Sequence, residues 1–220
     1  MDIQPLRKTL RARRRDLTPP VLQAHSLLMA RQAMTYRPLQ QARRIAFYLA
    51  TDGEMDPAPL LAHAQACGKR CFLPVLRERP GTGLWFAEYR DATPLTPNRF
   101  GILEPTSHHR QLSKPWALDL ILMPLVAFDT TGTRLGMGGG FYDRTLAFMR
   151  QRQHWTGPRL IGLAHELQRV ESLPRREWDI PLAGVITEKR IYRFNLESSV
   201  GEGKVCVCGG AGRRLHGWSR

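Results

Sequence analysis

The chain has 220 residues, of which 42% are hydrophobic and 24% charged. At about 150 residues per domain that is one large domain or two small ones, long enough to bury roughly 70% of its unfolded surface without disulfide staples. These figures exclude a mostly disordered chain, a collagen-like repeat and a disulfide miniprotein. No apolar run approaches the length of a membrane span. The first fifteen residues are polar and basic and carry no secretory signal, so a cytoplasmic protein is expected.

The net charge is +14, and arginine dominates it, because only Lys8, Lys69, Lys114, Lys189 and Lys204 are lysines. Three readings stay open: a nucleic-acid partner, steering of polyanionic small molecules, or an arginine-biased solvated surface. The charge concentrates in residues 1–44, where ten basic residues stand against Asp2 and Asp16. Base-stacking aromatics should accompany a nucleic-acid surface, and this segment offers only Tyr36. Cys67, Cys71, Cys206 and Cys208 do not form zinc-ligand pairs, since Cys206-x-Cys208 is too tight and lies in a Gly-rich tail.

In chain order, Leu6 and Leu10, then Val21, Leu22, Leu27, Leu28 and Met29, recur near helical spacing and predict two helices up to about Thr35. Thr18-Pro19-Pro20 separates them, with Thr18 as N-cap and proline in the first turn. Arg44–Ala50 reads as a buried strand, Pro57–Cys67 as a helix stopped by Gly68, and Arg70–Leu76 and Leu84–Tyr89 as strands. A Pro-rich stretch leads to Gly101-Ile102-Leu103-Glu104-Pro105. Asp119–Ala127 is a near-continuous apolar run of the kind buried on both faces. A helix over Tyr142–Gln151, a strand over Arg159–Ala164 and a short final strand over Gly184–Thr187 complete the pattern. Strands alternating with helices predict an α/β three-layer sandwich, a mostly parallel central sheet flanked by helices. One domain is expected over 1–198, with 199–220 a disordered, Gly-rich basic tail.

Chemistry concentrates in Asp129-Thr-Thr-Gly-Thr-Arg134-Leu-Gly136-Met137-Gly138-Gly139-Gly140-Phe141-Tyr142-Asp143-Arg144. Four glycines in five residues follow a buried strand and precede a helix. Such a loop lets backbone amides approach an anion without Cβ clashes, and Arg134 and Arg144 flank it. It is not a dinucleotide fingerprint, which would need glycine at Phe141, and it lacks the Gly-Lys-Ser/Thr of a P-loop. A purely structural turn is the competing reading. Asp143 is either a helix-end stabiliser or a magnesium contact beside phosphates, and Asp179 either a turn residue or a second such contact.

This segment resembles the signature of the 5-formyltetrahydrofolate cyclo-ligase (methenyltetrahydrofolate synthetase) family. Arg7-Lys8-Thr9-Leu10-Arg11, Asp52-Gly53-Glu54-Met55-Asp56, Gly68-Lys69, Gly101-Ile102-Leu103-Glu104-Pro105 and Trp178-Asp179 agree in order, so the resemblance covers about residues 5–195. It implies ATP- and Mg²⁺-dependent cyclisation of 5-formyltetrahydrofolate, with or without a polyglutamate tail, to 5,10-methenyltetrahydrofolate. ADP and phosphate would be released. It also implies a monomer with no membrane association and no obligate nucleic acid.

By position, the resemblance makes Arg7, Lys8, Arg11, Arg134, Gly136, Gly138, Gly139, Gly140 and Tyr142 ATP contacts. Leu49, Glu54, Met137, Gly138, Gly139, Gly140 and Phe141 become substrate contacts, Arg134 and Tyr142 the catalytic pair, and Asp143 and Asp179 the metal carboxylates. Two departures stand out. Many family members carry Arg or Lys where this chain has Met137 and Gly139, and Asp where it has Ala183. The alternatives are an Arg-rich nucleic-acid-binding α/β protein without catalytic activity, or a phosphosugar isomerase or coenzyme A transferase on a similar core, for which Asp129 would be the strand-end carboxylate.

Overall fold

The computed structural model describes residues 3–77, 81–106, 112–151, 157–176 and 179–194. The expected tail at 199–220 lies outside them, as does Trp178. Two helices open the chain, α1 (Ile3–Arg15) and α2 (Pro19–Thr35), broken at the expected prolines. Thr18 takes the N-cap position in extended geometry, but its side chain makes no cap hydrogen bond. A short α3 (Arg37–Gln41) precedes β1 (Arg44–Ala46). Then come α4 (Ala58–Ala66), β2 (Arg70–Leu76), β3 (Leu84–Glu88), β4 (Leu95–Pro97), β5 (Leu103–Pro105) and β6 (Leu112–Ser113). After these follow β7 (Leu120–Pro124), β8 (Ala127–Phe128), β9 (Arg134–Leu135), α5 (Phe141–Leu146), β10 (Arg159–Leu163), β11 (Gly184–Ile186) and β12 (Ile191–Arg193).

Eight strands form one sheet in the order β12-β11-β10-β7-β1-β2-β3-β6. The central run β11-β10-β7-β1-β2 is parallel, and β12, β3 and β6 add antiparallel edges. The expected mostly parallel sheet is therefore present, and it is mixed.

Alternate residues of the central strands face opposite cores, as the two-residue period of a strand requires. Ile45, Leu120, Leu122 and Ile161 join Met29, Ala33, Leu60 and Ala64 from α2 and α4. Ala46, Ile121, Met123 and Leu160 join Leu146 of α5 and Phe86 of β3 on the other side. Helices thus cover both faces, which is why β7 reads as unbroken hydrophobicity. A third cluster sets Leu10 of α1 against Val126, Ala127 and Leu135.

Four sequence expectations change in detail. The apolar run expected as one strand over Asp119–Ala127 divides. β7 ends at Pro124, and Ala127–Phe128 pairs instead with Arg134–Leu135 in a separate ribbon. Between them the carbonyls of Leu125 and Val126 accept from the Gln168 side chain rather than from a strand. Strand β1 stops at Ala46, although Phe47 still donates its amide to Phe72. The helix expected over Tyr142–Gln151 is α only to Leu146 and then tightens into a 3-10 turn over Ala147–Gln151. Gly184–Ile186 is not the last strand, because β12 pairs antiparallel with it.

Chain direction locates the cavity. The parallel order runs outward from β1 to β2 on one side and from β7 to β10 and β11 on the other. Strands β1 and β7 are parallel, but the order in which strands are added reverses between them, and ligands of open α/β sheets bind beyond the carboxyl ends of strands at such a switch.

Candidate active site

A cavity of about 1040 Å³ opens there, walled by Tyr48 and Leu49 beyond β1, Pro74 and Leu76 of β2, Pro124 of β7, and the whole of Arg134–Arg144. Ligand pockets span about 300–1,000 Å³, and this one stands at the top of that range.

The glycine loop forms one wall. Gly138 (φ 103°) and Gly140 (φ 62°) adopt backbone geometry that side chains resist. Arg7 donates Nε to the Gly136 carbonyl at 2.9 Å, and Arg144 donates Nη2 to that of Gly139 at 2.8 Å. Among the described residues no hydrogen bond takes the amides of Gly138, Gly139 or Gly140. Carbonyls engaged by guanidiniums, with the neighbouring amides left over, suit an anion nest. Since α5 has only six residues, these amides matter more than a helix dipole.

Arg134 reaches the cavity from β9, its side chain only 8% exposed. It donates Nη2 to Asp143 Oδ1 at 2.6 Å and Nη1 to the Ile180 carbonyl. Burial lowers its pKa, opposed by the charges of Asp143 and Asp179 and by Tyr142. Asp143 pairs with the guanidinium directly, and the charge of Asp179 acts on it without a direct contact among those observed. Asp179 Oδ2 accepts from the Arg176 amide at 2.8 Å, and each carboxylate has a second oxygen. Hard oxygen donors few in number, beside a phosphate nest, suit Mg²⁺, which keeps waters and substrate phosphates in its shell.

Glu54, also on the cavity wall, is buried with Oε2 accepting from the Thr51 amide at 3.1 Å. Burial raises its pKa, while the Thr51 amide and the Arg14 charge pull the other way. Burial also raises the Tyr142 hydroxyl, reinforced by Glu54, so Tyr142 is a neutral donor on this wall.

Of the sequence-predicted residues, Arg7, Leu49, Glu54, Arg134, Gly136, Met137, Gly138, Gly139, Gly140, Phe141, Tyr142, Asp143 and Asp179 all line the cavity. Lys8 and Arg11 are not among the lining residues; Lys8 is exposed and Arg11 donates to Asp52 at 2.9 Å. Asp129 is committed elsewhere: Oδ1 accepts from the amides of Thr131 and Thr133 and the Thr131 hydroxyl, and Oδ2 from the Leu173 amide. A carboxylate this fully engaged is a loop anchor, which removes the residue an isomerase or transferase reading needed.

Sequence reasoning missed two features. The β4–β5 hairpin, folded around the Asn98 side chain, carries exposed Phe100 edge-on to Phe141 at 5.6 Å between ring centroids. It also puts Phe100, Ile102 and Leu103 on the cavity wall. The Asn-Arg-Phe-Gly turn was the available cue. The second is Arg14, only 1% exposed, whose spacing from Arg11 and Arg15 gives three guanidiniums on one helix face.

The chain matches the model of the 5-formyltetrahydrofolate cyclo-ligase family over residues 2–188. The 5-formyltetrahydrofolate cyclo-ligase of Escherichia coli is 44% identical over 186 residues, covering 84% of this chain and 100% of that one. That of Haemophilus influenzae is 40% identical over 190 residues, covering 83% and 96%. The solved structure of Aquifex aeolicus 5,10-methenyltetrahydrofolate synthetase superposes with a TM-score of 0.74 at 29% identity, covering 92% of this chain and 97% of that one. Sequence and fold agree, and the chain belongs to the 5-formyltetrahydrofolate cyclo-ligase family.

Proposed function

We propose that this chain, a 5-formyltetrahydrofolate cyclo-ligase by family, activates the formyl oxygen of its substrate with ATP inside the one cavity described above. The reading rests on one observation: a glycine loop with free amides, a buried arginine and a buried carboxylate line the same cavity.

A formamide oxygen is a poor leaving group. Its attack on the γ-phosphorus breaks the bond to the ADP oxygen and leaves an iminium-like carbon bearing phosphate. The N10 nitrogen attacks that carbon, phosphate departs with the C–O electrons, the N10 proton is lost, and the methenyl ring is closed. Phosphoryl transfer is catalysed mainly by positioning and charge neutralisation. The amides of Gly138–Gly140 hold the phosphates, and Arg134 supplies fixed positive charge that burial keeps from being screened. Tyr142 donates its hydroxyl proton as a hydrogen bond without ionising. Glu54 accepts from the pterin's ring N–H groups, and Phe141 and Leu49 pack on its faces. Asp143 and Asp179 would hold Mg²⁺, which when bound neutralises phosphate charge.

Arg7, on the cavity wall, is the N-terminal residue best placed for the nucleotide; Lys8 and Arg11 act on it at most through the field.

The test is near-ultraviolet absorbance of the methenyl product with 5-formyltetrahydrofolate, ATP and Mg²⁺ present and each omitted in turn. Product is expected only with all three. Product formed without nucleotide would overturn the phosphorylation step. Tight RNA or DNA binding at physiological salt with no absorbance change would favour the binding-protein alternative.

A further inference from the structure

Outside the cavity, three side chains from separate elements converge where β10 ends. His25 lies on α2, His165 follows β10, and Glu188 sits in the turn between β11 and β12. One ligand atom from each lies within 4.8 Å of the others. His25 Nδ1 and His165 Nδ1 are 3.0 Å apart. His165 is wholly buried, and the other two are half-buried. None of the three is among the residues lining the cavity.

The tautomer of His165 can be read from its partners. Its Nε2 stands 3.1 Å from the Gly53 carbonyl oxygen, which can only accept. The ring proton is therefore on Nε2, and Nδ1 presents a lone pair. Metal-binding histidines are oriented in this way, the distal N–H donating to a backbone carbonyl. The Gln168 amide, which reaches toward the His165 ring in a capping box, also donates to the His165 carbonyl at 2.9 Å. It therefore keeps a partner when Nδ1 is taken. Glu188 is oriented too, with Oε2 accepting from the Glu166 amide at 3.0 Å. Without a metal, His25 must spend its Nδ1 proton on the His165 lone pair. Two nitrogens bound at about 2.0–2.1 Å to a tetrahedral ion stand about 3.4 Å apart, so an ion in place of that proton needs only a small opening of the pair.

We propose that His25, His165 and Glu188 form a binding site for a divalent transition metal of the zinc class, with water completing the shell. Two imidazoles and one carboxylate favour Zn²⁺ over Mg²⁺ or Ca²⁺, which take oxygen ligands. The site is structural. It clasps α2 and the β11–β12 turn to the end of β10, and through His165 Nε2–H it steadies the Gly53 carbonyl beside Glu54. It is independent of the cavity carboxylates.

The experiment strips the full-length chain with a chelator, holds Mg²⁺ in excess, and titrates Zn²⁺ by calorimetry and Co²⁺ by visible absorption. One equivalent is expected, with the intense visible bands of four-coordinate Co²⁺ and a rise in melting temperature. His25→Ala and Glu188→Gln should each weaken binding by more than about tenfold and abolish the thermal shift. His63→Ala and deletion of 201–220 should change neither, which separates this site from the Cys67–His63 contact and from Cys206 and Cys208. Removing the buried His165 ring risks unfolding, so His25 and Glu188 carry the test. Absence of Zn²⁺ binding, undiminished binding in both variants, or loss on removing His63 or the tail would overturn the proposal.

Discussion

Two arginine–aspartate clusters serve this fold, and they are built in opposite ratios. At the first, one carboxylate meets three guanidiniums. Asp52 accepts from Arg11 at 2.9 Å, from Arg14 at 2.8 Å and from Arg15. Arg14 also donates Nε to the Asp52 carbonyl at 2.8 Å, and its Nη1 lies 3.9 Å from Glu54 Oε1. At the second, one guanidinium, that of Arg134, pairs with Asp143 and feels the charge of Asp179. The first cluster is saturated and lines no cavity. It fixes α1 to the turn that presents Glu54, and it holds Asp52 in a left-handed conformation (φ 54°) that aspartate tolerates better than most residues. The second keeps surplus carboxylate oxygens on a cavity wall, where a cation and phosphates have something to bind. The same residue types thus make a rivet in one place and a receptor in the other, and the ratio of charges decides which.

That contrast can be broken experimentally. Asp143→Ala should lower turnover about 10²–10³-fold or more while leaving the melting temperature within a few degrees. Near-normal activity at saturating Mg²⁺ would remove Asp143 from the receptor. Arg14→Ala should do the reverse. It strands buried carboxylate charge at the rivet and should cost about 3 kcal/mol in denaturant unfolding, with Arg14→Lys recovering part of it. An unchanged midpoint would mean that the turn is held by packing alone.

Gly138→Ala meets an unfavourable φ in the nest and should raise the KM for ATP by about tenfold, more than it changes folding. An equal rise in the KM for folate alone would move the nest from nucleotide to folate.

A pH measurement sharpens the rivet. Burial alone would raise the Asp52 carboxyl, but hydrogen bonds from Arg15 and Arg11 and the charges of Arg11 and Arg14 outweigh it and hold the group at about 2. Its unfolded value is about 3.9, so its stabilisation is complete above about pH 4 and is lost as pH falls through 2. Asp52→Asn should flatten that limb of the stability profile, and an unchanged limb would assign it to other carboxylates. Smallest of all, deleting residues 201–220 should leave turnover unchanged in the methenyl assay.

Much of this was legible in the sequence because local chemistry announces itself. The glycine run could serve little but a tight loop, the prolines at 19 and 20 had to start a helix, and β7 read as a strand because both its faces are covered. What failed were features set by partners distant in the chain. Strand β12 escaped notice because three residues are too few to show a period. The β4–β5 hairpin was hidden among prolines, and with it the placement of Phe100 over Phe141. Arg11 read as a nucleotide contact and Arg14 went unremarked within the basic segment, because nothing along the chain says that Asp52 will meet them.

The sequence by itself determined the layered α/β order, the family, and the residues of the anion loop, since hydrophobic period and glycine content act over a few residues at a time. The tertiary structure alone decided which arginine faces which carboxylate, that Asp129 is used up as an anchor, and that His25, His165 and Glu188 meet. Charge pairing depends on distances across the sheet, and those exist only once the strands have taken their order.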